Sequence, residues 1–532
     1  MRLFLFLISI VLIQKAAICQ NYDVREVELD KTKSKGAVYR GIDNNGMIYA
    51  TGYRTFLLYF NRTFLKVIDP INEKVIKDIP FKFKKLSSQG FSLYGIKMLD
   101  RNPVIIATNR KDRDDNGYYA FGLDRELRLL SGSKIAEKPV CSGFSLRQSE
   151  VKGFYSGVRH YEDDNRMRTF FSDVTCPKDE EVTIKSTVVN ENGNELNSYT
   201  FTLDVITPIR KSVLLAHNEN KAYYFVSSSQ RERVKGKLFK RNISYNKLFV
   251  VNNGVPSEVD LSIGDNHVIA DLRMVKNDGE IIVSGHINKN LSNDFVGMFT
   301  AKIDTETDEL INIKTHFFDQ DFMDNFWKRK EDDSQMEDTL SLRNYVLLDY
   351  FETDDGGAAY FSQEREVVQR TYTTMSADGR MTTTTRYYYY YRNLIVTKID
   401  KNGDLVWFKN LPISQVTIDY DPGIGFAASQ NRGDILVLHS SSNVRSEEID
   451  DSADKNKRSR LRDRRTDRID ITKIQDNGEV RNDKVIDLRD SKIVFDPSNV
   501  GVDHINKTFS LLSQKRGWFA SKKVIYLTKI RF

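Results

Sequence analysis

Residues 394–407 read Leu394-Ile-Val-Thr-Lys-Ile-Asp-Lys-Asn-Gly-Asp-Leu-Val-Trp407, and weaker copies of this pattern recur along most of the chain. The clearest copy is Thr472-Lys-Ile-Gln-Asp-Asn-Gly-Glu-Val480. Each copy combines an apolar strand, a tight Asn-Gly turn and a second strand. Because an internal repeat of this kind sets the architecture, the pattern predicts an all-β fold built from similar small sheets.

A second repeated element, a turn followed by a short apolar strand, precedes each copy of the first. The best pair is Asp43-Asn-Asn-Gly-Met-Ile-Tyr-Ala-Thr-Gly52 and Lys276-Asn-Asp-Gly-Glu-Ile-Ile-Val-Ser-Gly285, which align without a gap. Continuous apolar runs of this length are typical of strands buried on both faces. Both elements together occur eight times, with turns near residues 46, 102, 165, 220, 279, 356, 433 and 506.

Small antiparallel sheets cannot each bury a face alone, and radial closure into a β-propeller is the usual solution. The eighth unit stops at Phe532 just after its second strand, whereas Tyr22-Asp-Val-Arg-Glu-Val-Glu-Leu29 is an alternating strand that precedes the first unit. We therefore predict a single eight-bladed propeller over residues 20–532, closed into a ring by the N-terminal strand. Seven blades are the alternative, because units two to four are individually faint.

The unit that contains Trp407 resembles the repeat of secreted β-propellers common in Bacteroidota, in which an Asp-x-Asn-Gly turn precedes an apolar-apolar-Trp strand. The resemblance covers nearly the whole mature chain at the level of fold, and units five to seven match it best. It implies an exported bacterial propeller. The chain is also distantly similar to quinoprotein dehydrogenases, but it has only three tryptophans and no adjacent cysteines, so no cofactor is implied.

The N-terminus predicts export. Residues 1–13 place one basic residue before an apolar run too short to span a membrane, and small residues follow at Ala16 and Ala17. We predict a signal peptide over residues 1–19, with acylation of Cys19 as the alternative that the bulky Ile18 disfavours. The mature chain is then expected in the periplasm or at the cell surface, without a transmembrane span, and peripheral membrane association stays open.

The net charge and the cysteine content limit the classes of function that fit this chain. The net charge is only +6 over 532 residues, which argues against a dedicated nucleic-acid binder. Removal of the signal peptide leaves Cys141 and Cys176, which an exported compartment permits to pair as a disulfide. Two separate buried thiols are an equal alternative.

Three insertions interrupt the repeat, at about residues 319–344, 363–392 and 440–468. The second and third occupy the same loop of consecutive units, so we expect them side by side on one face, where function is concentrated. The first contains Phe326-Trp-Lys-Arg-Lys330 and predicts a short amphipathic helix. The third is acidic and then basic, which is typical of a solvated loop or an electrostatic contact.

The insertion at residues 363–392 carries the strongest functional signal. Thr and Tyr favour strands, and Asp378-Gly379 is a hairpin signal, so the segment predicts a long ribbon that stands away from its sheet. Tyrosine offers a large contact area at little cost in entropy, which suits recognition of a protein or a glycan. A ribbon folded down onto its own sheet is the alternative. The predicted interaction residues are Tyr372, Arg386, Tyr387, Tyr388, Tyr389, Tyr390 and Tyr391.

The sequence contains no recognisable catalytic motif. Its seven histidines have no metal-site spacing, and neither a phosphate loop nor a nucleophile elbow occurs. His286 and His439 end apolar strands, and we expect each to be an ordinary core or surface histidine without a functional role. We predict no catalytic, cofactor or metal residues, and favour a non-catalytic scaffold that binds an envelope or secreted protein in a bacterial envelope complex. The alternative is a propeller that binds a glycan or hydrolyses it with paired carboxylates.

Overall fold

A computed structural model of the chain describes the repeated units and part of the sequence between them. The predicted signal peptide, both candidate disulfide cysteines and nearly all of the insertion at residues 440–468 lie outside the described part. The described residues are 23–29, 35–42, 47–56, 60–80, 91–99, 102–109, 117–123, 129–137, 159–162, 168–173, 182–190, 194–204, 209–218, 220–233, 240–264, 267–277, 279–289, 294–327, 342–375, 378–418, 425–441, 468–487, 500–503, 507–514 and 525–532.

The fold is almost entirely β, which confirms the predicted class. The described residues form eight four-stranded antiparallel sheets, numbered here 1 to 8 in chain order. Sheets 1 to 7 are meanders, in which consecutive strands are neighbours. The second and third strands of each sheet correspond to the two elements of the sequence repeat. The eight repeat units are therefore eight sheets, and their closure into a ring stays a prediction.

The chain divides into two compact units, of which the larger comprises Arg40–Asn45 and Phe81–Asp421. It contains sheets 2 to 6. The strands of sheets 2 to 4 are β6 (Phe91–Leu99), β7 (Asn102–Asn109), β8 (Gly117–Leu123), β9 (Leu129–Glu137), β10 (Arg159–Glu162), β11 (Arg168–Asp173), β12 (Val182–Val189), β13 (Glu195–Leu203), β14 (Ile209–Asn218), β15 (Lys221–Arg233), β16 (Lys240–Asn252) and β17 (Val255–Val259). Those of sheets 5 and 6 are β18 (His267–Asn277), β19 (Glu280–Lys289), β20 (Phe295–Asp304), β21 (Leu310–Phe317), β22 (Tyr345–Glu352), β23 (Ala358–Met375), β24 (Met381–Ile399) and β25 (Leu405–Ile418).

The other unit comprises Met1–Tyr39, Gly46–Pro80 and Pro422–Phe532. It contains sheets 7 and 8 and most of sheet 1. Their strands are β1 (Asp23–Glu28), β2 (Lys35–Ile42), β3 (Ile48–Phe56), β4 (Phe60–Asp69), β5 (Lys74–Pro80), β26 (Phe426–Asn431), β27 (Asp434–Ser441), β28 (Arg468–Ile474), β29 (Val480–Asp487), β30 (Val500–Asp503), β31 (Thr508–Gln514) and β32 (Ile525–Arg531).

Sheet 8 joins the two ends of the chain. Its strand order is β1-β32-β31-β30, so the N-terminal strand is the fourth strand beside the last three. Val24 lies opposite Ile530, and the Tyr526 hydroxyl donates a hydrogen bond to Glu28 Oε2 at 2.9 Å. The predicted pairing of the N-terminal strand with the last unit is thus confirmed.

The core lies between neighbouring sheets. In the larger unit, apolar side chains of sheets 4 and 5 form one cluster, and those of sheets 5 and 6 form another. The second strands are the most buried, and in β19 every residue from Ile281 to Asn288 is buried. The first strands β10, β14, β18 and β22 contact one another in succession. The continuous apolar runs in the sequence therefore lie between two layers of neighbours.

The Asp-x-Asn-Gly motif forms the turn between the third and fourth strands. Asp400 Oδ1 accepts a hydrogen bond from the Asn402 N–H at 2.8 Å, and Gly403 has a φ of 80°. In the preceding sheet, Asp304 Oδ1 accepts the Thr307 N–H at 2.9 Å. Such turns need an acceptor at the first position and a residue that tolerates positive φ. The aspartate of the motif therefore has the same structural role in the turns of sheets 5 and 6.

The lysine of the Thr-Lys-Ile motif also has a structural role. Lys398 is buried, and its Nζ lies 2.8 Å from Asp355 Oδ2. At the equivalent position, Lys473 Nζ lies 2.5 Å from Asp434 Oδ2. The alkyl stem packs within the sheet while the ammonium reaches a carboxylate beside the turn that starts the second strand. This recurrent lysine therefore ties strands together and does not mark a catalytic site.

The predicted helix of the first insertion is confirmed as α1 (Gln320–Trp327). Asp319 Oδ1 accepts a hydrogen bond from the Phe322 N–H at 2.7 Å, which caps the helix at its N-terminus. Met323 is buried in the apolar cluster between sheets 5 and 6. Within the described part of the chain, no helix is long and apolar enough to cross a membrane.

Candidate functional site

The two histidines at strand ends are core residues. His286 Nε2 lies 2.6 Å from the Ser362 hydroxyl, and its ring stacks on Phe295 at 3.9 Å between ring centroids. His439 Nε2 lies 3.0 Å from Thr472 Oγ1. Both are buried, and the described residues contain no group of three or more His, Cys, Asp or Glu side chains placed to hold a metal. The expected structural role of these histidines fits this packing.

A second polar group lies where the first strands of sheets 5 and 6 meet. Arg273 donates to the Leu347 carbonyl at 2.8 Å, and Asp271 Oδ2 accepts the Leu347 N–H at 3.2 Å. Burial raises the pKa of the nearby Asp349 to about 6. Both strands are irregular here, β18 next to Asp271 and β22 next to Asp349. The Asp271 and Arg273 side chains form hydrogen bonds with the backbone of Leu347 where the two strands meet. We therefore assign this polar cluster a structural role.

The insertion in sheet 6 forms the long hairpin that the sequence predicts. β23 and β24 pair without interruption from Arg365 opposite Tyr391 to Met375 opposite Met381. The neighbouring strands stop much earlier, β22 at the pair Tyr345–Glu364 and β25 at the pair Ile418–Tyr388. We term the remainder, residues 366–375 and 378–387, the ribbon. At a rise of about 3.4 Å per residue, it is about 30 Å long.

The ribbon presents two faces, because residues directly opposite in an antiparallel pair share a face. Along β23 exposed and half-buried positions alternate. The two faces of the ribbon therefore carry different kinds of side chain. The first, termed the tyrosine–arginine face, carries Val368, Arg370, Tyr372, Thr384, Arg386 and Tyr388. The second, termed the open face, carries Val367, Gln369, Thr371, Thr373, Thr383, Thr385, Tyr387 and Tyr389.

The tyrosine–arginine face is an ordered cluster. The Tyr372 and Tyr388 hydroxyls lie 2.8 Å apart, and the Arg370 guanidinium lies over the Tyr388 ring at 5.2 Å from its centroid. Arg370 stands directly opposite Arg386. Burial, followed by the contact with Tyr372, raises the pKa of Tyr388 to about 12. At neutral pH this face therefore offers phenolic hydroxyls and positive charge.

The open face exposes apolar and aromatic surface. Val367 is 55% exposed and Tyr387 is 43% exposed, and the pair Met375 and Met381 at the tip is exposed as well. Thr371 and Thr373 line the same face. The open face therefore presents apolar and aromatic side chains to solvent.

Two of the predicted interaction residues belong to the base of the hairpin. Tyr390 and Tyr391 are buried, because β25 still pairs with β24 at these positions. Arg365 lies over the Tyr391 ring at 5.4 Å, and Arg392 lies over the Tyr390 ring at 4.9 Å. These rings anchor the ribbon. The other predicted residues, Tyr372, Arg386, Tyr387, Tyr388 and Tyr389, lie on the ribbon or at the point where it leaves the sheet.

Sequence reasoning missed Arg370 and Val367. Both belong to the same ribbon, Arg370 opposite Arg386 and Val367 opposite Tyr389. Counting outward from a two-residue turn at Asp378-Gly379 would have shifted these pairs by one residue, because Met375 and Met381 enclose a five-residue loop.

Comparison with known proteins identifies no family for this chain. No protein-family model and no curated relative matches the chain. Among solved structures, the polysaccharide lyase Uly1 is similar at 10% identity with a TM-score of 0.40, over 94% of this chain and 91% of the lyase. The Dos1 propeller is similar at 8% identity with a TM-score of 0.37, over 95% and 94%. The β-propeller domain of the Trilobed protease from Pyrococcus furiosus is similar at 10% identity with a TM-score of 0.34, over 85% and 96%.

Proposed function

We propose that this protein is a non-catalytic scaffold that binds a protein partner through the ribbon of sheet 6. The observation that carries the proposal is the two-stranded ribbon itself, which leaves its sheet and exposes Val367, Tyr387 and the methionine pair of the open face. Tyrosine, methionine and arginine are enriched at protein interfaces, and the ribbon combines all three.

The ribbon is preorganised for binding. Its two strands are fully paired, and threonine hydroxyls face each other at 3.3 Å between Thr371 and Thr385 and at 3.4 Å between Thr373 and Thr383. The Tyr372 and Tyr388 rings are held by their hydroxyl contact. Side chains that are already ordered lose little entropy when a partner binds. A rigid ribbon therefore supports specific recognition.

The rest of the chain serves as the platform in this proposal. In this proposal the platform is the eight-bladed propeller that the sequence repeat predicts. Contacts between the first strands β10, β14, β18 and β22 support radial packing. The apolar N-terminal run of residues 1–13 supports export to the periplasm or cell surface of a bacterium, where the partner is an envelope or secreted protein.

The proposal is tested by removing the ribbon without disturbing its base. Residues 369–387 are replaced by Asn-Gly, which joins Val368 to Tyr388 through a two-residue hairpin turn. Because β25 pairs only from Tyr388 inward, the three-stranded base remains intact. We expect the variant to fold with an unchanged melting temperature and to lose the partners that copurify with the intact chain from native envelopes.

A control variant separates the ribbon from exposed apolar surface in general. Leu196 and Ile311 are exposed apolar residues on the outer strands of sheets 3 and 5, and the double change Leu196→Ser and Ile311→Ser leaves the ribbon intact. This control should keep every partner. Full partner recovery by the ribbon-replaced protein would refute the proposal, and recovery of polysaccharide in place of protein by the intact chain would favour the glycan-binding alternative.

A further inference from the structure

Both edges of the ribbon lack a neighbouring strand among the described residues, and the edge along β23 is the longer of the two. The last backbone hydrogen bond on that side runs from the Arg365 N–H to the Asn344 carbonyl at 2.9 Å. The chain before Asn344 then turns away, since Leu342 pairs with Phe295 of sheet 5 in both directions at 2.8 Å. From Glu366 to Met375, no strand within the described ranges lies beside β23 on this side.

The backbone groups along this edge follow from the same hydrogen bond. Because the Arg365 N–H points outward, the N–H and C=O of alternate residues after it point outward as well. The short hydroxyl contact of Thr371 with Thr385 supports this assignment, since side chains lie closest at pairs that do not exchange backbone hydrogen bonds. The outward groups belong to Val367, Gln369, Thr371 and Thr373.

This edge lacks the usual protection against strand pairing. Proteins protect exposed edges with proline, lysine or a bulge. The fourth strands of sheets 4, 5 and 6 follow that rule, with Pro256, Lys314 and Pro412 respectively. Residues 366–375 contain no proline, lysine or bulge, carry charge only at Glu366 and Arg370, and pair with β24 in unbroken register. An edge of this length with little protection is able to accept an added strand.

We infer that the edge of β23 binds an extended, acidic segment of the protein partner as an added β-strand. The inference rests on the proposed function and specifies how the partner binds. Like charges directly opposite each other are unfavourable, and Arg370 stands opposite Arg386 on this face. Acidic side chains on the incoming strand, on the tyrosine–arginine face, would compensate this charge.

The positive charge of this face also argues against a second copy of this chain as the added strand. Pairing of two β23 edges would add another Arg370 and Arg386 to the same face, and the one carboxylate of the ribbon tip, Asp378, already lies 3.4 Å from Arg380 Nε. Strand addition supplies main-chain hydrogen bonds for affinity and side-chain contacts for specificity. An acidic partner strand would supply both the main-chain hydrogen bonds and the side-chain contacts with Arg370 and Arg386.

The test uses the full chain and two fluorescent peptides, Thr-Val-Glu-Val-Glu-Val-Glu-Val-Thr and its counterpart with lysine at each glutamate. We expect the glutamate peptide to bind at least about tenfold more tightly than the lysine peptide in fluorescence anisotropy. Thr371→Pro removes an outward N–H and should weaken binding by about tenfold or more, since a buried acceptor on the peptide loses its donor.

Thr385→Pro is the matched control. Thr385 is opposite Thr371 in the same pair, so its N–H points to the other edge of the ribbon, and peptide affinity should be unchanged. Equal hydrogen-exchange protection of the backbone amides that pair β23 with β24 in both variants would show that the hairpin is intact. Equal affinity of the two proline variants, or no preference for the glutamate peptide, would overturn the inference. If Thr371→Pro keeps the native partners that ribbon replacement loses, strand addition is wrong and the proposed function stands.

Discussion

Replacement of Tyr391 by alanine is expected to lower the free energy of unfolding by about 3–5 kcal/mol, as for other large aromatic residues in cores. Tyr391 is only 1% exposed, and its backbone pairs with Arg365 on β23 and with Gln415 on β25. Truncation leaves a cavity at the base of the ribbon and removes the contact between the ring and the Arg365 guanidinium. Chemical denaturation followed by tyrosine and tryptophan fluorescence measures the change.

Tyr387→Ala is the control for this prediction. Tyr387 is in the same run of tyrosines but is 43% exposed, so its removal should change the free energy of unfolding by no more than about 0.5 kcal/mol. The same change should weaken partner binding. Equal destabilisation by the two changes would show that the run is not divided into a buried base and an exposed ribbon.

Gly285→Ala is expected to destabilise the protein by at least about 3 kcal/mol, at the upper end of the cost of overpacking. A Cβ at this position would lie 1.9 Å from the Asp271 carbonyl oxygen and 2.7 Å from Phe299 Cε1. The carbonyl oxygen belongs to the neighbouring strand β18, so no side-chain rotation relieves the overlap. Strands β18 and β19 would have to separate.

Gly279 provides the matched comparison, because it lies in the same repeat element. It has a φ of +78°, and a Cβ there would contact nothing within 4 Å. Gly279→Ala should therefore cost only the strain of a left-handed backbone, about 1–2 kcal/mol. Thermal unfolding of the two variants should show the larger decrease for Gly285→Ala, and the reverse order would contradict the packing described between β18 and β19.

These two glycines illustrate why the fold was predictable from sequence. The repeat element at residues 276–285 aligns with residues 43–52, and both copies carry a glycine at the turn and a second glycine six residues later. The Asp400 turn and the buried Lys398 recur for equally local reasons. Local requirements repeated in every sheet leave a pattern that can be counted, and that count gave the sheets and the pairing of the N-terminal strand.

The division of the tyrosine run was not predictable in this way. Burial of Tyr390 and Tyr391 depends on β25 continuing to Ile418, where its partner is Tyr388. The length of a neighbouring strand is a tertiary property, and residues 405–418 carry no signal for where it ends. The open edge of β23 likewise depends on the chain turning away at Leu342 to pair with Phe295. Alternation within a strand gives its faces but not its neighbours.

The central claim is that the ribbon, and not the surface of the sheets, contacts a protein partner. Site-specific photocrosslinking in native cells tests it most directly, with p-benzoylphenylalanine placed at Tyr387 on the ribbon or at Ile311 on the exposed fourth strand of sheet 5. We predict a discrete protein adduct from position 387 that position 311 does not give. No protein adduct from position 387, or the same adduct from both positions, would contradict the account.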